Sequence, residues 1–352
     1  MRSDSSCEKL SAIMKTNERI DRRRLAALSA GALAFAMTNT GTAQAAPGEV
    51  YSLTVCPWTA ENPRHDHQQI FPLQDGRLLL VWSEYYVNRP SNIYRSPYSG
   101  PGSRDDTPCR ISARVSKDKG RTWSEPQQMS PPGGFYPINA DHISVHSSGR
   151  IILPAFWSPK IWAEGEHFRA FCFYSDDDGH TWQQSKNRID LPKRGAEEPA
   201  IAEAEDGSLV CMLRTTLGKI YQAFSSDRGE TWSEAKATVL PSPSSASALK
   251  RIPGGTDLLF LWNNATPYAL SRPGGKSFHY PRNPLSSAVS RDGGKTWDNI
   301  KNIERREGYI SGYPSVMFAG DEALVTYYHA SESGSRDSDV RLKIFKTAWF
   351  YT

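Results

Sequence analysis

The sequence predicts an all-β chain folded as a six-bladed β-propeller of four-stranded antiparallel blades. Two repeated patterns carry that expectation. The octapeptide Ser-x-Asp-x-Gly-x-Thr-Trp occurs as SKDKGRTW (116–123), SDDDGHTW (175–182), SSDRGETW (225–232) and SRDGGKTW (290–297). A tight turn followed by an apolar strand occurs as DGRLLLVW (75–82), SGRIILPAF (148–156), DGSLVCML (206–213), GTDLLFLW (255–262) and GDEALVTYY (320–328). Self-similarity on a scale of about 50 residues, with little helical periodicity, points to radially repeated sheets.

Taken in chain order, the first 45 residues stand apart. Arg22, Arg23 and Arg24 precede an apolar run from Leu25 to Met37, and Ala43-Gln44-Ala45 offers a cleavage site. That is the pattern of a secretory signal, and the paired arginines resemble a twin-arginine signal. The apolar run is too short to span a bilayer comfortably. The expectation is an exported protein, periplasmic or secreted, with 1–45 as signal and 46–352 as one propeller.

The signal holds seven Lys/Arg and four Asp/Glu, so the overall +4 falls to about +1 for the remainder. A near-neutral surface argues against nucleic acid as partner. No later segment is long and apolar enough to cross a membrane, and a monomer is expected. Cys56, Cys109, Cys172 and Cys211 show no Cys-x-x-Cys spacing. Cys172 and Cys211 sit in apolar runs and read as buried thiols.

In each turn-strand unit the glycine permits positive φ, and the apolar runs read as strands buried on both faces. Successive turn glycines are 73, 58, 48 and 65 residues apart. Division of the stretch 46–352 by about 50 residues gives six blades. Five units are visible, and the sixth is expected from EVYSLTVC (49–56) joined to VRLKIFKTAWF (340–350). The octapeptide reads as a hairpin turn. Its Ser and Asp bond the loop backbone, its Gly takes the left-handed position, and its Trp folds back on the blade. It lacks the length and distal Glu of a calcium loop, so its carboxylates are not expected to be catalytic.

This octapeptide is the Asp box, and the chain resembles the sialidase (neuraminidase) superfamily, as an exported Asp-box (BNR-repeat) protein. The likeness runs over essentially all of 46–352. It rests further on residues at family-like spacing. In EEPAIAEAEDGSLVCMLRT (197–215), Glu198 and Arg214 lie on either side of a turn, as a Glu and an Arg do in sialidases. A structural ion pair is the alternative. Arg282, eight residues before the last Asp box, resembles the family's last binding arginine; a surface arginine is the alternative. Tyr313, before the final turn-strand unit, resembles the nucleophile, with Tyr309 as competitor. Asp105 and Asp106, in a Gly/Ser/Pro-rich insertion (89–107), resemble the loop acid/base. Asp141 and His142 are further candidates for lining the pocket.

The first strand departs from the family. Sialidases carry Arg-Ile-Pro there, whereas NPRHDHQQIFPLQDG (62–76) has Asp66 ten residues before the turn glycine. Arg64 can fill the role, and His65, Asp66 and His67 add polar groups of their own. These put the substrate in question, and a metal site lacks a third partner.

The resemblance implies an exo-α-sialidase acting on sialylated glycans. Arg64, Arg214 and Arg282 would hold the substrate carboxylate, Tyr313 would attack with Glu198 as its base, and Asp106 or Asp105 would protonate the leaving oxygen. No cofactor or metal is implied. The alternatives are a related hydrolase or lyase on another acidic, uronic-acid-containing glycan, and a non-catalytic glycan-binding propeller.

Overall fold

The computed structural model describes residues 52–57, 59, 62, 64–86, 109–139, 141–159, 165–272, 275–279, 281–332 and 338–352. The expected signal at 1–45, Asp105 and Asp106 lie outside the described residues. Leu53–Thr352 form one compact unit.

Its described residues build a β-propeller of five blades. Blade 1 contains β1 (Arg64–Pro72), β2 (Leu78–Tyr85), β3 (Cys109–Ser116) and β4 (Gln127–Gln128). Blade 2 contains β5 (Ser144–Val145), β6 (Ile151–Trp157), β7 (Arg169–Ser175) and β8 (Gln183–Gln184). Blade 3 contains β9 (Glu197–Glu203), β10 (Leu209–Arg214), β11 (Lys219–Ser225) and β12 (Lys236–Pro241). Blade 4 begins with β13 (Ala248–Arg251) and β14 (Leu258–Asn263). A separate hairpin follows, β15 (Tyr268–Arg272) with β16 (Gly275–His279), before β17 (Leu285–Ser290) and β18 (Asp298–Glu304) complete the blade. Blade 5 has β19 (Tyr309–Ala319), β20 (Glu322–Ser331) and β21 (Ser338–Lys346), and a short 3₁₀ turn, Thr347–Tyr351, follows.

Every predicted turn-strand unit is the second strand of a blade. β2, β6, β10 and β14 are buried almost throughout, as expected of strands covered on both faces. Four apolar clusters join consecutive blades. Leu79 and Val81 pack with Ile151 and Leu153, Ile152 and Cys172 with Leu209 and Cys211, Val210 and Met212 with Phe260 and Trp262, and Leu259 and Leu261 with Val325 and Tyr327. β20 differs: its burial alternates residue by residue. One face packs on blade 4, while its other face shares its side with the exposed Val340, Leu342 and Ile344 of β21.

The expected count of six is corrected to five. Leu53–Cys56 form no strand, and the C-terminal segment does not pair with them. It forms β21 instead, in unbroken antiparallel register with β20 from Glu322↔Lys346 to Ala330↔Ser338. The backbone groups on its inner side are thereby paired inside blade 5, of which it is the outer strand. The chain length that division assigned to a sixth repeat lies in the connection from β2 to β3 and in the β15–β16 hairpin.

Each Asp box joins the third strand of a blade to the fourth. In the second, Asp177 accepts from Thr181 N at 2.8 Å, from Thr181 Oγ1 at 2.6 Å and from Ser175 Oγ at 2.8 Å. The Gly179 amide donates to Ser175 Oγ at 2.9 Å, and the Trp182 indole donates to Gly179 O at 3.2 Å. In the third box the glycine is also a packing requirement. Gly229 has φ +90°, and a Cβ there would lie 2.8 Å from Cys172 Sγ. Cys56, Cys109, Cys172 and Cys211 are free thiols, and burial pushes the Cys172 thiol up to about 12.

Candidate active site

The first strands of successive blades lie against one another, β9 against β13 and β13 against β19. They line the centre, and three of them carry a register shift at the level of the candidate residues. The shifts fall between Asp66 and Gln69 on β1, opposite β9 between Met212 and Arg214, and between Gly312 and Ser315 on β19. Such bulges re-aim a side chain out of the alternating pattern. At or beside them His67 (φ 51°), Glu198 (φ 43°) and Tyr313 (φ 49°) take left-handed backbone, as does Asp141 (φ 63°) ahead of β5. All four stand seven to nine residues before the turn glycine of their blade, Gly76, Gly207, Gly320 and Gly149. Left-handed backbone at a non-glycine residue costs about 1–3 kcal/mol and concentrates where side-chain direction matters more than stability.

The centre of the arrangement is an ion pair. Arg214, ending β10, donates from Nη1 to Glu198 Oε2 at 2.8 Å and from Nε to Ser244 Oγ at 3.0 Å. Both members are buried, Glu198 at 6% and Arg214 at 8% exposure. Burial pushes the Glu198 carboxyl up, but Arg214, with help from Arg282 and His67, outweighs it and leaves the pKa lowered. The neighbouring Glu197 goes the other way: burial raises it despite Arg214 and Arg194. Burial opposes the Arg214 charge, and Glu198, Glu197 and Tyr313 hold its pKa well above the ordinary value. Arg214 therefore keeps Glu198 ionised and ready to accept a proton.

That proton has a source in reach. Tyr313 donates from its hydroxyl to Glu198 Oε1 at 3.3 Å, and at 39% exposure it is the most open member of the group. Arg282 stands over the Tyr313 ring with its guanidinium 5.5 Å from the centroid. It is steadied by Tyr328 Oη, which accepts from Nη1 at 2.8 Å, and by Ser244 O at 3.5 Å. Arg214 and Arg282 thus meet at one serine and flank one phenol, an arrangement suited to an anionic group bound above Tyr313.

The remaining candidates fall in different places. Asp141 spans the centre: Lys250 of β13 lies 3.1 Å from Oδ1, while Oδ2 accepts from Val316 N at 3.1 Å and from Ser315 Oγ of β19. His142 is buried behind it. One ring nitrogen is 2.9 Å from Pro199 O and the other 3.0 Å from Ser247 O. Burial and then Lys250 lower its pKa, against the Pro199 carbonyl, Asp141 and Glu198. Only a doubly protonated ring donates to two carbonyls at once, so the neutral ring holds one of these bonds. Asp141 and His142 brace the inner strands. Arg64 opens β1 opposite Tyr85. His67 Nδ1 lies 2.8 Å from Asp66 Oδ1, and His65 Nδ1 accepts from the Trp82 indole at 3.1 Å.

Ser244, Lys250, Ser315 and Tyr328 were not foreseen. The serines had a trace in the sequence, since Ser244 lies in the Ser-rich PSPSSASA (241–248) at the start of blade 4. Tyr328 had none, because only the pairing of β19 with β20 puts it beside Gly312. Among the described residues no three His, Cys, Asp or Glu side chains are grouped to hold a metal ion.

Residues 88–329 match the BNR repeat-like domain family. Human sialidase-4 is 28% identical over 145 residues, 36% of this chain and 30% of that protein. Anhydrosialidase from Macrobdella decora is 29% identical over 135 residues, 35% of this chain and 16% of that one. The aligned stretch thus spans less than a third of either curated relative. A Hadza microbial sialidase of known structure superposes with a TM-score of 0.58 at 20% identity, over 78% of this chain and 53% of the other. That likeness concerns the fold. The family match covers more than half of the sequence and coincides with the Asp-box blades, so the chain belongs to the BNR repeat-like family within the sialidase superfamily.

Proposed function

We propose that the chain is an exo-α-sialidase that releases terminal sialic acid from glycoconjugates with retention, using Tyr313 as nucleophile. The observation that carries the reading is the sequence of contacts from Tyr313 through Glu198 to Arg214. A phenol of ordinary pKa near 10 is a weak nucleophile until a base takes its proton. Glu198, held ionised by Arg214, is that base. A neutral phenol also suits a substrate whose anomeric carbon bears a carboxylate, which would repel an anionic nucleophile. Arg214 and Arg282 hold that carboxylate, and the Glu198 charge stabilises the cationic transition state. Export through residues 1–45 is part of the same reading.

A second reading is favoured by one feature. Asp66 occupies the first-strand position at which the resemblance calls for an arginine, and His67 lies beside it. This suits a related enzyme on a uronic-acid-containing glycan.

The deciding experiment follows release of 4-methylumbelliferone from its α-N-acetylneuraminide by wild type, Tyr313→Phe and Arg214→Ala, with product anomers read by NMR. Wild-type turnover with the α-anomer formed first, abolished in both variants, is the expected result. Folded wild type inactive on sialosides but active on uronic-acid oligosaccharides selects the second reading. Inactivity on both sets leaves a binding propeller.

A further inference from the structure

Of the four residues presented in left-handed backbone, Glu198 and Tyr313 form the nucleophile and its base, and Asp141 is committed to Lys250, Ser315 and Val316. His67 is left, and it rests in the same strained conformation without serving any of these contacts. We propose that His67, backed by Asp66, is the group that hands a proton to the leaving oxygen and takes one back from water. The proposal rests on the glycosidase reading above.

Three observations support it. Asp66 Oδ1 sits 2.8 Å from His67 Nδ1, so the carboxylate lies beside that nitrogen and leaves Nε2 for the ligand. His67 lies inside the register shift of β1, as Glu198 and Tyr313 lie inside those of β9 and β19, so the three are presented by the same local device. Its side chain is 27% exposed, unlike that of His142, which is buried against two carbonyls. Among the described residues the other site carboxylates do not fit the role. Glu198 is kept ionised by Arg214, and both Asp141 oxygens are occupied.

The proton balance closes over two steps. In the first, Tyr313 oxygen bonds to the anomeric carbon as the glycosidic C–O bond breaks. The Tyr313 proton passes to Glu198, and the His67 imidazolium gives its proton to the departing oxygen. In the second, water attacks the anomeric carbon and loses a proton to the neutral His67. The Tyr313–carbon bond breaks, and the phenolate recovers its proton from Glu198.

The test compares kcat/KM, which covers steps up to departure of the leaving group, on a lactose-linked and a nitrophenyl sialoside. An alcohol leaving group needs protonation and a nitrophenolate hardly does. His67→Gln is expected to lose 10²- to 10⁴-fold on the lactose-linked substrate and less than about tenfold on the nitrophenyl one. Asp66→Asn, which keeps the ring in place, should show the same selectivity with a smaller loss. Thermal melts of both variants are followed by circular dichroism. Equal losses on the two substrates, or no loss, overturn the proposal and leave the glycosidase reading intact. So does the selective loss in Asp105→Asn or Asp106→Asn with His67→Gln unaffected. Wild type inactive on both substrates overturns the reading and the proposal together.

Discussion

Asp177 and Glu198 are both carboxylates at the ends of strands, and they do opposite things. Asp177, in an outer turn, spends its oxygens on Thr181 and Ser175 of its own octapeptide. Glu198, on an inner strand, reaches Arg214 across its blade and Tyr313 from another blade. The outer turn is a local solution: its bonds form as soon as eight residues fold, and only the strand ends need to be in place. The inner site is a global one, because blades 3, 4 and 5 have to be assembled before Glu198, Ser244, Arg282 and Tyr313 can meet. A conspicuous carboxylate run such as SDDDGHTW is therefore structural, while the glutamate paired with a buried arginine is the candidate for chemistry.

Breaking the global element should have the larger effect. Arg214→Ala leaves Glu198 buried without its cation and should destabilise the fold by about 3–5 kcal/mol in urea unfolding, with sialoside turnover lost. Asp177→Ala removes three hydrogen bonds from one exposed loop. It should destabilise by about 1–3 kcal/mol and leave kcat/KM within about twofold of wild type. Comparable inactivation by the two variants would dissolve the distinction between the two regions.

The same contrast explains what could be read from the sequence. The Asp boxes and turn-strand units were legible because each is defined by residues close in the chain, and all nine fall where they were expected. Glu198, Arg214, Arg282 and Tyr313 could be nominated from their positions relative to those units. Their mutual contacts could not, because they depend on blades far apart in sequence. Blade number failed for a related reason. Division by repeat length cannot see that residues 338–346 pair in unbroken register with β20, or that length is taken up by the connection after Tyr85. Tyr328 was out of reach altogether, since nothing local marks it as the partner of Arg282.

A smaller effect sharpens the comparison at the backbone. Tyr313 has φ 49°, a conformation that glycine tolerates and alanine does not. Tyr313→Gly should be more stable than Tyr313→Ala by about 1 kcal/mol, with both inactive. At Val316, three residues on in the same strand, glycine should be the less stable of the two. Equal ranking at both positions would remove strain as a property of the site.

The smallest expected effect concerns pH. In the outer turns, Asp177 is lowered to about 2, with burial opposed by its bonds to Thr181 and Ser175. Its contribution is complete above the unfolded value near 3.9 and is lost only as pH falls toward about 2. Inside, burial and Lys250 lower the His142 pKa. The folded state then binds that proton less readily than the unfolded chain, so stability falls as pH drops below about 6.5. Glu197, raised by burial, acts in the opposite sense over its own range, and a difference between variant and wild type separates the two. His142→Gln keeps two amide donors for the Pro199 and Ser247 carbonyls and cannot take up the proton. Urea unfolding at pH 7.5 and 5.5 should therefore show a smaller loss of stability in His142→Gln than in wild type. An identical slope in the two proteins would mean that the inner brace does not feel pH in this range, and that inner and outer regions differ in connectivity alone.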